Sequence, residues 1–196
     1  YYKSNNTVVI PNALTNIPNQ SAELVSKKVI SAGRIAPVKG FEKLIHAWVF
    51  VARKNPDWTL EIYGNGEKNY INGLQDLIIR LNLQSKVILC GSTNNMKEKM
   101  LNASIYAMSS LTECFPMVLL ESLSCGLPVV SFDCPNGPRN IVTNNKDGLL
   151  VENNNINEFA NALFKLINNK ELRSAMGKQG KLNIKRLKPK IVMEIW

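Results

Sequence analysis

The sequence contains a single histidine, His46, among 196 residues. One histidine cannot build a multi-histidine metal site. His46 lies off the apolar stripe of a helical segment, which favours a solvated or partly packed role, and we expect no Ser-His-Asp triad. The four cysteines, Cys90, Cys114, Cys125 and Cys134, form no CxxC pair. Three of them lie in or beside apolar segments, where cysteine is usually a small buried hydrophobe. We therefore expect reduced thiols and no metal site.

Long apolar runs are also absent, since no stretch approaches the roughly 18 residues that a membrane-spanning helix needs. The N-terminal residues Tyr-Tyr-Lys-Ser-Asn-Asn lack the layout of a secretory signal. These features favour a cytoplasmic protein. With 45% apolar residues, the chain is long enough for one sizeable core, and nothing in its pattern demands a second domain.

Acidic residues are scarce relative to basic ones, and the net charge is +9. The excess is local, because residues 165–190 hold nine Lys or Arg and one acid, Glu171, which gives +8. Such a run usually forms a solvated helical face. Attraction to an anionic membrane surface, at about 1 kcal/mol for each basic residue near lipid, is the sharper interpretation. We do not expect nucleic-acid binding, because no recognition motif or interleaved aromatics accompany the charge.

Short apolar segments rich in β-branched residues alternate with helical patterns along the chain. The six predicted strands are Lys28–Gly33, Trp58–Gly64, Lys86–Gly91, Ser104–Met108, Leu127–Phe132 and Gly148–Val151. This alternation predicts an α/β fold, with a Rossmann-like parallel sheet of about six strands and helices on both faces. Ligands of such sheets bind at the carboxyl ends of the strands.

The loop after the first predicted strand carries two cations within the segment Gly33-Arg34-Ile-Ala-Pro-Val-Lys39-Gly40. The planar guanidinium of Arg34 suits a phosphate, and Lys39 adds a point charge, so the pair suits a diphosphate. The alternative is an ordinary solvated loop. A predicted helix follows over residues 41–55, with its apolar residues at helical spacing.

Two carboxylates, Glu113 and Glu121, flank the predicted start of another helix. Pro116 suits a first turn, so we expect this helix to begin at residues 115–117. Its first N–H groups and dipole favour a phosphate. Glu121, about one turn inside and among leucines, would be satisfied by the vicinal hydroxyls of a ribose. Alternatively, Glu113 caps the helix and Glu121 is an ordinary surface residue.

Together these two motifs, the second followed by Cys-Gly-Leu-Pro-Val-Val, resemble the donor-binding half of retaining glycosyltransferases of family four, which have the GT-B fold. The resemblance covers nearly the whole chain. It implies an interdomain linker at residues 1–20, a donor-binding domain at 21–185 and a helix at 186–196 that returns toward an N-terminal domain. Residues 9–12 resemble the interdomain connection, and residues 147–151 resemble the last strand.

The resemblance also implies roles for individual residues. Arg34 and Lys39 would bind the donor diphosphate, Glu121 the ribose and Glu113 the transferred sugar, so that Glu113, Arg34 and Lys39 are the expected catalytic residues. The remaining expected donor-binding residues are Gly33, Phe115, Pro116, Met117 and Val118. Many members carry glycines around the aromatic residue, whereas this chain has Cys114 and Pro116, so one backbone donor is absent. Neither a metal nor another cofactor is expected.

The implied function is transfer of a sugar from a nucleotide-diphosphate donor, with a UDP-hexose or UDP-N-acetylhexosamine favoured, to a glycan or lipid-linked acceptor in bacterial surface-glycan assembly. Turns at residues 64–66 and 91–94 are both candidates for holding the base. The N-terminal domain that binds the acceptor would be missing from this chain, so we expect nucleotide binding with poor transfer. The rival classes, a sugar-nucleotide epimerase and a non-catalytic nucleotide-binding or phosphoacceptor module, predict catalytic acids, histidines or acidic clusters that do not match these segments.

Overall fold

The computed structural model describes residues 10–194. Residues 1–9 of the expected linker, including the segment that lacks a secretory layout, and the last two residues of the expected C-terminal helix lie outside this range. Six strands form one sheet: β1 (Lys28–Ala32), β2 (Thr59–Tyr63), β3 (Val87–Gly91), β4 (Ile105–Met108), β5 (Val129–Phe132) and β6 (Gly148–Val151). Each lies within its predicted segment, so the prediction of six strands is confirmed.

Within residues 10–194, seven α-helices connect and follow the strands. They are α1 (Phe41–Lys54), α2 (Lys68–Arg80), α3 (Met96–Leu101), α4 (Met117–Ser124), α5 (Ile156–Ile167), α6 (Lys170–Asn183) and α7 (Pro189–Met193). Helix α4 begins within the predicted interval, but Pro116 precedes it in an extended conformation instead of occupying its first turn. The apolar side of α1 is buried and His46 is exposed, as its position off the stripe predicted.

All strand pairs are parallel, and the strand order is β3-β2-β1-β4-β5-β6. The chain builds outward from β1 to β3 on one side and then crosses back to β4 on the other. The order therefore reverses between β1 and β4. In doubly wound sheets the ligand crevice lies at the carboxyl ends of the strands at this reversal.

The core has two layers, one on each face of the sheet. Trp48 of α1 and Phe159 of α5 lie in one apolar cluster, while Tyr106 and Leu119 lie in the other. Side chains alternate between the faces because successive residues of a strand point in opposite directions. The predicted arrangement of helices on both faces is therefore confirmed.

Three members of the basic C-terminal run make structural contacts: Arg173, Lys181 and the exposed Arg186, which donates to the carbonyls of Asn140 and Ile141 at 2.8 and 3.1 Å. Arg173 is buried and donates to the carbonyls of Leu166, Ile167 and Leu24 at 2.7–3.2 Å. Lys181 donates to backbone oxygens of residues 19 and 20. The expectation of a wholly solvated face is wrong for Arg173 and Lys181. Within residues 10–194, no helix is both long and apolar enough to cross a membrane.

All four cysteines are free. Cys125 and Cys134 are buried, Cys90 is half-buried and Cys114 is exposed. Burial raises the pKa of both the Cys125 and Cys134 thiols to about 11, so they are protonated at neutral pH. These two behave as the small buried hydrophobes that their positions predicted.

Candidate functional site

The strands β1 and β4 separate at their carboxyl ends. Their pairing stops at Ile30 opposite Tyr106, although β1 continues along β2 and β4 continues along β5. The loops that follow, residues 33–40 and 109–116, face each other across the gap. The Ser109 hydroxyl donates to the carbonyl of Lys39 at 2.9 Å, and the N–H of Leu111 donates to Val38 at 2.9 Å. These bonds tie the two predicted binding loops together at the reversal point.

An ion pair joins the two loops. The Nζ of Lys39 lies 2.6 Å from Oε1 of Glu113, and the side chains are 25% and 13% exposed. The cation expected to bind the diphosphate and the carboxylate expected to bind the sugar are thus in direct contact. Sequence reasoning placed both at the crevice but did not predict their pairing. Gly33 lies against the Lys39 side chain, since a Cβ there would lie 3.6 Å from its Cε.

Arg34 extends from the same loop into solvent. Its backbone surroundings are fixed, because the N–H groups of Gly33 and Ile35 donate to Tyr63 and Asn65 at 3.0 and 2.8 Å. Among residues 10–194, no carboxylate forms an ion pair with Arg34. Its guanidinium therefore remains available to an anion at the mouth of the crevice.

The start of α4 points at this crevice. No side chain caps it, so the alternative in which Glu113 is its cap is wrong. The leading N–H groups of a helix have no intrahelical acceptor, and together with the dipole they favour an anion. Phe115, Met117 and Val118 are half-buried around this helix start and Pro116 is buried. Gly137 packs behind the loop, where a Cβ would lie 2.8 Å from Cβ of Glu113.

Glu121 lies on the solvent side of α4, whereas the leucines at 119, 120 and 123 face the core. The expectation that its carboxylate sits among these leucines is therefore wrong, because helical periodicity turns residue 121 outward. It lines a cavity of about 310 Å³ between α4, α3 and residues 13–16. Although the side chain reaches solvent, partial burial in this cavity raises the pKa of the Glu121 carboxyl.

The same cavity distinguishes the two turns considered for the base. Asn94, from the turn after β3, and Met96 line the cavity beside Glu121. The turn at residues 64–66 instead supports the first loop, since Gly66 bridges to Ile35. Within residues 10–194, no group of three His, Cys, Asp or Glu side chains is placed to hold a metal ion.

A broader, open depression of about 850 Å³ lies between α1 and the loop before α5, where it is lined by His46 and Phe50 among others. It adjoins the second loop, because Asn153 in its wall donates to the carbonyl of Leu111 at 3.1 Å, but none of the expected site residues lines it. We therefore place the functional site by the charged groups at the crevice and not by cavity size.

Three contributors to the site escaped sequence reasoning. Tyr106 lies in an apolar strand, where an aromatic residue indicates core packing. Residues 13–16 were assigned to a linker, although they line the cavity of Glu121. Gly137 belongs to the Pro135-Asn-Gly-Pro138 turn, whose composition indicates a tight turn but not its contact with Glu113.

Comparison with known proteins gives the family. The model of the family described as glycosyl transferases group 1 matches residues 15–183. An uncharacterized glycosyltransferase of Haemophilus influenzae is 35% identical over 196 residues, which cover 100% of this chain and 55% of that protein. The N-acetylgalactosamine-N,N'-diacetylbacillosaminyl-diphospho-undecaprenol 4-alpha-N-acetylgalactosaminyltransferase of Campylobacter jejuni is 35% identical over 175 residues, 88% of this chain and 47% of that protein.

The fold has a counterpart in TarM of S. aureus, whose mutant was crystallised with fondaparinux, alpha-GlcNAc-glycerol and UDP. The match has a TM-score of 0.90 and 27% identity, and it covers 100% of this chain and 39% of that one. The chain thus spans about half the length, or less, of these relatives. It belongs to the group 1 glycosyltransferase family and has the fold of the C-terminal domain of GT-B glycosyltransferases.

Proposed function

We propose that this chain is the donor-binding domain of a retaining transferase that moves a hexose or N-acetylhexosamine from a UDP-sugar to a glycan or lipid-linked acceptor of a bacterial surface polysaccharide or glycolipid. The observation that carries the proposal is the placement of Lys39, Glu113, the start of α4 and Glu121 along one edge of the sheet. In this proposal the nucleoside binds at Glu121, the diphosphate at Lys39 and the start of α4, and the sugar at Glu113.

Transfer leaves negative charge on the departing diphosphate. Arg34, Lys39 and the free N–H groups of α4 are the positive groups that would stabilise it, and such pre-arranged electrostatics commonly contribute most to catalysis. These groups would act without a metal ion. Glu113 would orient the sugar by accepting hydrogen bonds from its hydroxyls. Retention of configuration is part of the proposal through the resemblance to family four.

Two relatives support the choice of donor. The TarM mutant was crystallised with UDP and alpha-GlcNAc-glycerol, and the Campylobacter relative is named as an N-acetylgalactosaminyltransferase acting on a diphospho-undecaprenol-linked sugar. The cavity at Glu121 is compact and partly apolar, with Met96, Met100 and Met117 among its walls. Apolar walls of this kind suit the face of a base, while the carboxylate suits the ribose hydroxyls.

The acceptor site belongs, in this proposal, to another domain that faces the crevice. This chain covers 55% of the Haemophilus relative and 39% of TarM, so those proteins hold further residues that it lacks. The groups proposed to bind the donor all lie within the described residues, and the acceptor-binding groups would come from those further residues. Because the acceptor-binding groups would lie outside this chain, we expect it to bind nucleotide but to transfer sugar poorly. The proposed site of action is cytoplasmic.

Calorimetric titration of UDP, GDP and ADP into the chain tests the proposal, together with Arg34→Ala and Glu121→Ala. Arg80→Ala and Glu158→Ala are matched controls, because both side chains are exposed on helices away from the crevice. We expect selective UDP binding that weakens at least tenfold, about 1.4 kcal/mol, in each site variant and stays unchanged in the controls. Equal binding of all three nucleotides, or losses in the controls as large as in the site variants, would contradict the proposal.

We also propose that the C-terminal basic surface associates with an anionic membrane. Lys178, Lys185, Lys188 and Lys190 are exposed, and three apolar side chains are exposed in the same part of the chain. These are Leu182, Ile191 and Met193, at 56%, 41% and 65% exposure. Basic and apolar groups together favour binding at a lipid interface.

Sedimentation with vesicles of phosphatidylcholine, with and without about one phosphatidylserine in three lipids, tests this association. We expect binding only to the anionic vesicles, and loss of most of it in a variant with Lys185, Lys188 and Lys190 changed to Gln. A matched variant with Lys43, Lys54 and Lys68 changed to Gln removes the same charge elsewhere. Equal losses of vesicle binding in both variants would show that net charge alone causes the binding, which would contradict a dedicated C-terminal surface.

A further inference from the structure

Tyr106 lies at the point where β1 and β4 separate. Its side chain is completely buried. Its hydroxyl accepts a hydrogen bond from the N–H of Ala32 at 3.0 Å and donates one to the carbonyl of Ala32, also at 3.0 Å. A single phenol therefore satisfies both backbone groups of the last residue of β1.

The backbone groups of Ala32 face β4, because the N–H of the next residue, Gly33, faces β2 and donates to the carbonyl of Tyr63. In a continuous ladder, the backbone of β4 would supply the partners of Ala32. Here the ladder has ended at Ile30 opposite Tyr106, two residues earlier. The Tyr106 hydroxyl thus replaces a step of backbone pairing, and the strands can part without leaving buried polar groups unsatisfied.

We propose that Tyr106 is a positioning residue for donor binding, which holds the end of β1 so that the loop of residues 33–40 presents Arg34 and Lys39 to the diphosphate. This role rests on the proposed function. The loop is fixed at its other end by the bond from Ser109 to Lys39. Tyr106 fixes its beginning, one residue before Gly33 and two before Arg34.

Burial and the neighbouring carboxylates favour the protonated form of the Tyr106 hydroxyl, which can donate a hydrogen bond. Burial, followed by the carboxylates of Glu121 and Glu113, raises the pKa of Tyr106, while its bond to Ala32 lowers it. The hydroxyl therefore remains protonated at neutral pH and can donate to the Ala32 carbonyl. The Tyr106 hydroxyl bonds to the backbone of Ala32 and not to the residues expected to bind phosphate or sugar. Its effect on donor binding must therefore pass through the backbone of the loop.

Tyr106→Phe keeps the buried ring and removes only the hydroxyl. Tyr63→Phe is the matched control, since it removes a hydroxyl from the adjacent strand β2, where that group donates to the side chain of Glu61 at 2.6 Å. NMR titration measures the affinities of both variants and the unmodified chain for UDP and for uridine. Hydrogen exchange of the Ala32, Gly33 and Ile35 amides, without nucleotide, reports the loop itself.

We expect Tyr106→Phe to weaken UDP binding about tenfold or more, because buried groups left unpaired release the loop, and to change uridine binding less than about twofold. The three amides should exchange at least about tenfold faster, whereas Tyr63→Phe should resemble the unmodified chain. Equal losses for UDP and uridine would indicate general destabilisation and overturn the positioning role.

The two proposals fail in different ways. If UDP binds the unmodified chain and binds Tyr106→Phe equally well, the role of Tyr106 is overturned and the proposed function stands. If the amides of Tyr106→Phe exchange as in the unmodified chain, the role is overturned whatever binds. If no UDP binds the unmodified chain at millimolar concentration, the proposed function of this chain and the role that rests on it are both overturned.

Discussion

Replacing Glu113 with Gln should strengthen the binding of UDP, although Glu113 lies at the centre of the proposed site. In the structure without ligand, the Lys39 ammonium contacts the Glu113 carboxylate at 2.6 Å. A diphosphate must compete with that carboxylate for Lys39 and must also approach its negative charge. Glu113→Gln removes both obstacles while it keeps the shape of the side chain and one oxygen acceptor.

The size of the effect follows from burial of the pair. Two unit charges about 4 Å apart attract by about 4 kcal/mol at an effective dielectric constant near 20. Desolvation cancels much of this attraction, and exposed pairs contribute at most about 1 kcal/mol. With side chains 25% and 13% exposed, the pair lies between these cases. We expect release of Lys39 to strengthen UDP binding by about 1–2 kcal/mol, or about 5- to 30-fold.

Calorimetry with UDP and with a UDP-sugar measures the effect. UDP should bind Glu113→Gln more tightly, whereas the UDP-sugar should gain less, because its sugar loses the charged acceptor at Glu113. Lys39→Met should weaken both ligands. Glu158→Gln removes an exposed carboxylate from the first turn of α5 and should change neither affinity by more than about twofold.

A double-mutant cycle tests the explanation separately. The coupling between Lys39 and Glu113 in urea-induced unfolding should be about 1–3 kcal/mol without nucleotide and should shrink when UDP saturates the chain. Weaker UDP binding by Glu113→Gln, or a coupling that UDP leaves unchanged, would refute the view that the ion pair competes with the diphosphate.

Three further substitutions give distinct outcomes. Burial raises the pKa of the Glu121 carboxyl, so the folded chain binds the carboxyl proton more tightly than the unfolded chain does. Glu121→Gln should therefore raise the urea midpoint of unfolding at pH 7, and this gain should disappear as the pH falls toward about 4. The same substitution should weaken UDP binding. Gly137→Ala should cost about 1–3 kcal/mol of stability, because the added Cβ would press on Glu113, and it should weaken the binding of a UDP-sugar more than that of UDP. As the control, Gly73→Ala has open space around it and should stabilise α2 by about 0.5–1 kcal/mol. Arg173→Ala should lower the free energy of unfolding by about 2–4 kcal/mol, because the hydrogen bonds to three buried carbonyls are lost, and urea titration measures this change. Calorimetry should show that the nucleotide affinity of the folded chain is unchanged.

The sheet was predictable because its central strands β4 and β5 are buried on both faces. Segments such as Leu127–Phe132 are short apolar runs rather than alternating patterns, which is typical of parallel strands covered by helices. Boundaries differ by one or two residues, for instance at β5, where pairing begins only at Val129. The position of a first paired residue depends on the neighbouring strand, which periodicity within one segment does not contain.

The site was predictable as a set of residues but not as a set of contacts. Glu113 and Lys39 are 74 residues apart, and their pairing depends on how far β1 and β4 diverge. The direction of Glu121 follows from helical periodicity once the first residue of α4 is known. The burial of Arg173 depends on the carbonyl of Leu24, 149 residues away, so its charge was indistinguishable in the sequence from that of its solvated neighbours.

The divergence of β1 and β4 links the fold to the proposed chemistry. A ladder that continued to Ala32 would bring the two binding loops closer and would leave no gap for a diphosphate between Arg34 and the start of α4. A gap without the Tyr106 hydroxyl would leave two backbone groups of the half-buried Ala32 without this partner, at a cost of up to about 1–3 kcal/mol each. One phenolic hydroxyl therefore satisfies the strand end where β1 and β4 part, and in the proposed function the Lys39–Glu113 pair would hold the two loops together until the diphosphate displaces the carboxylate.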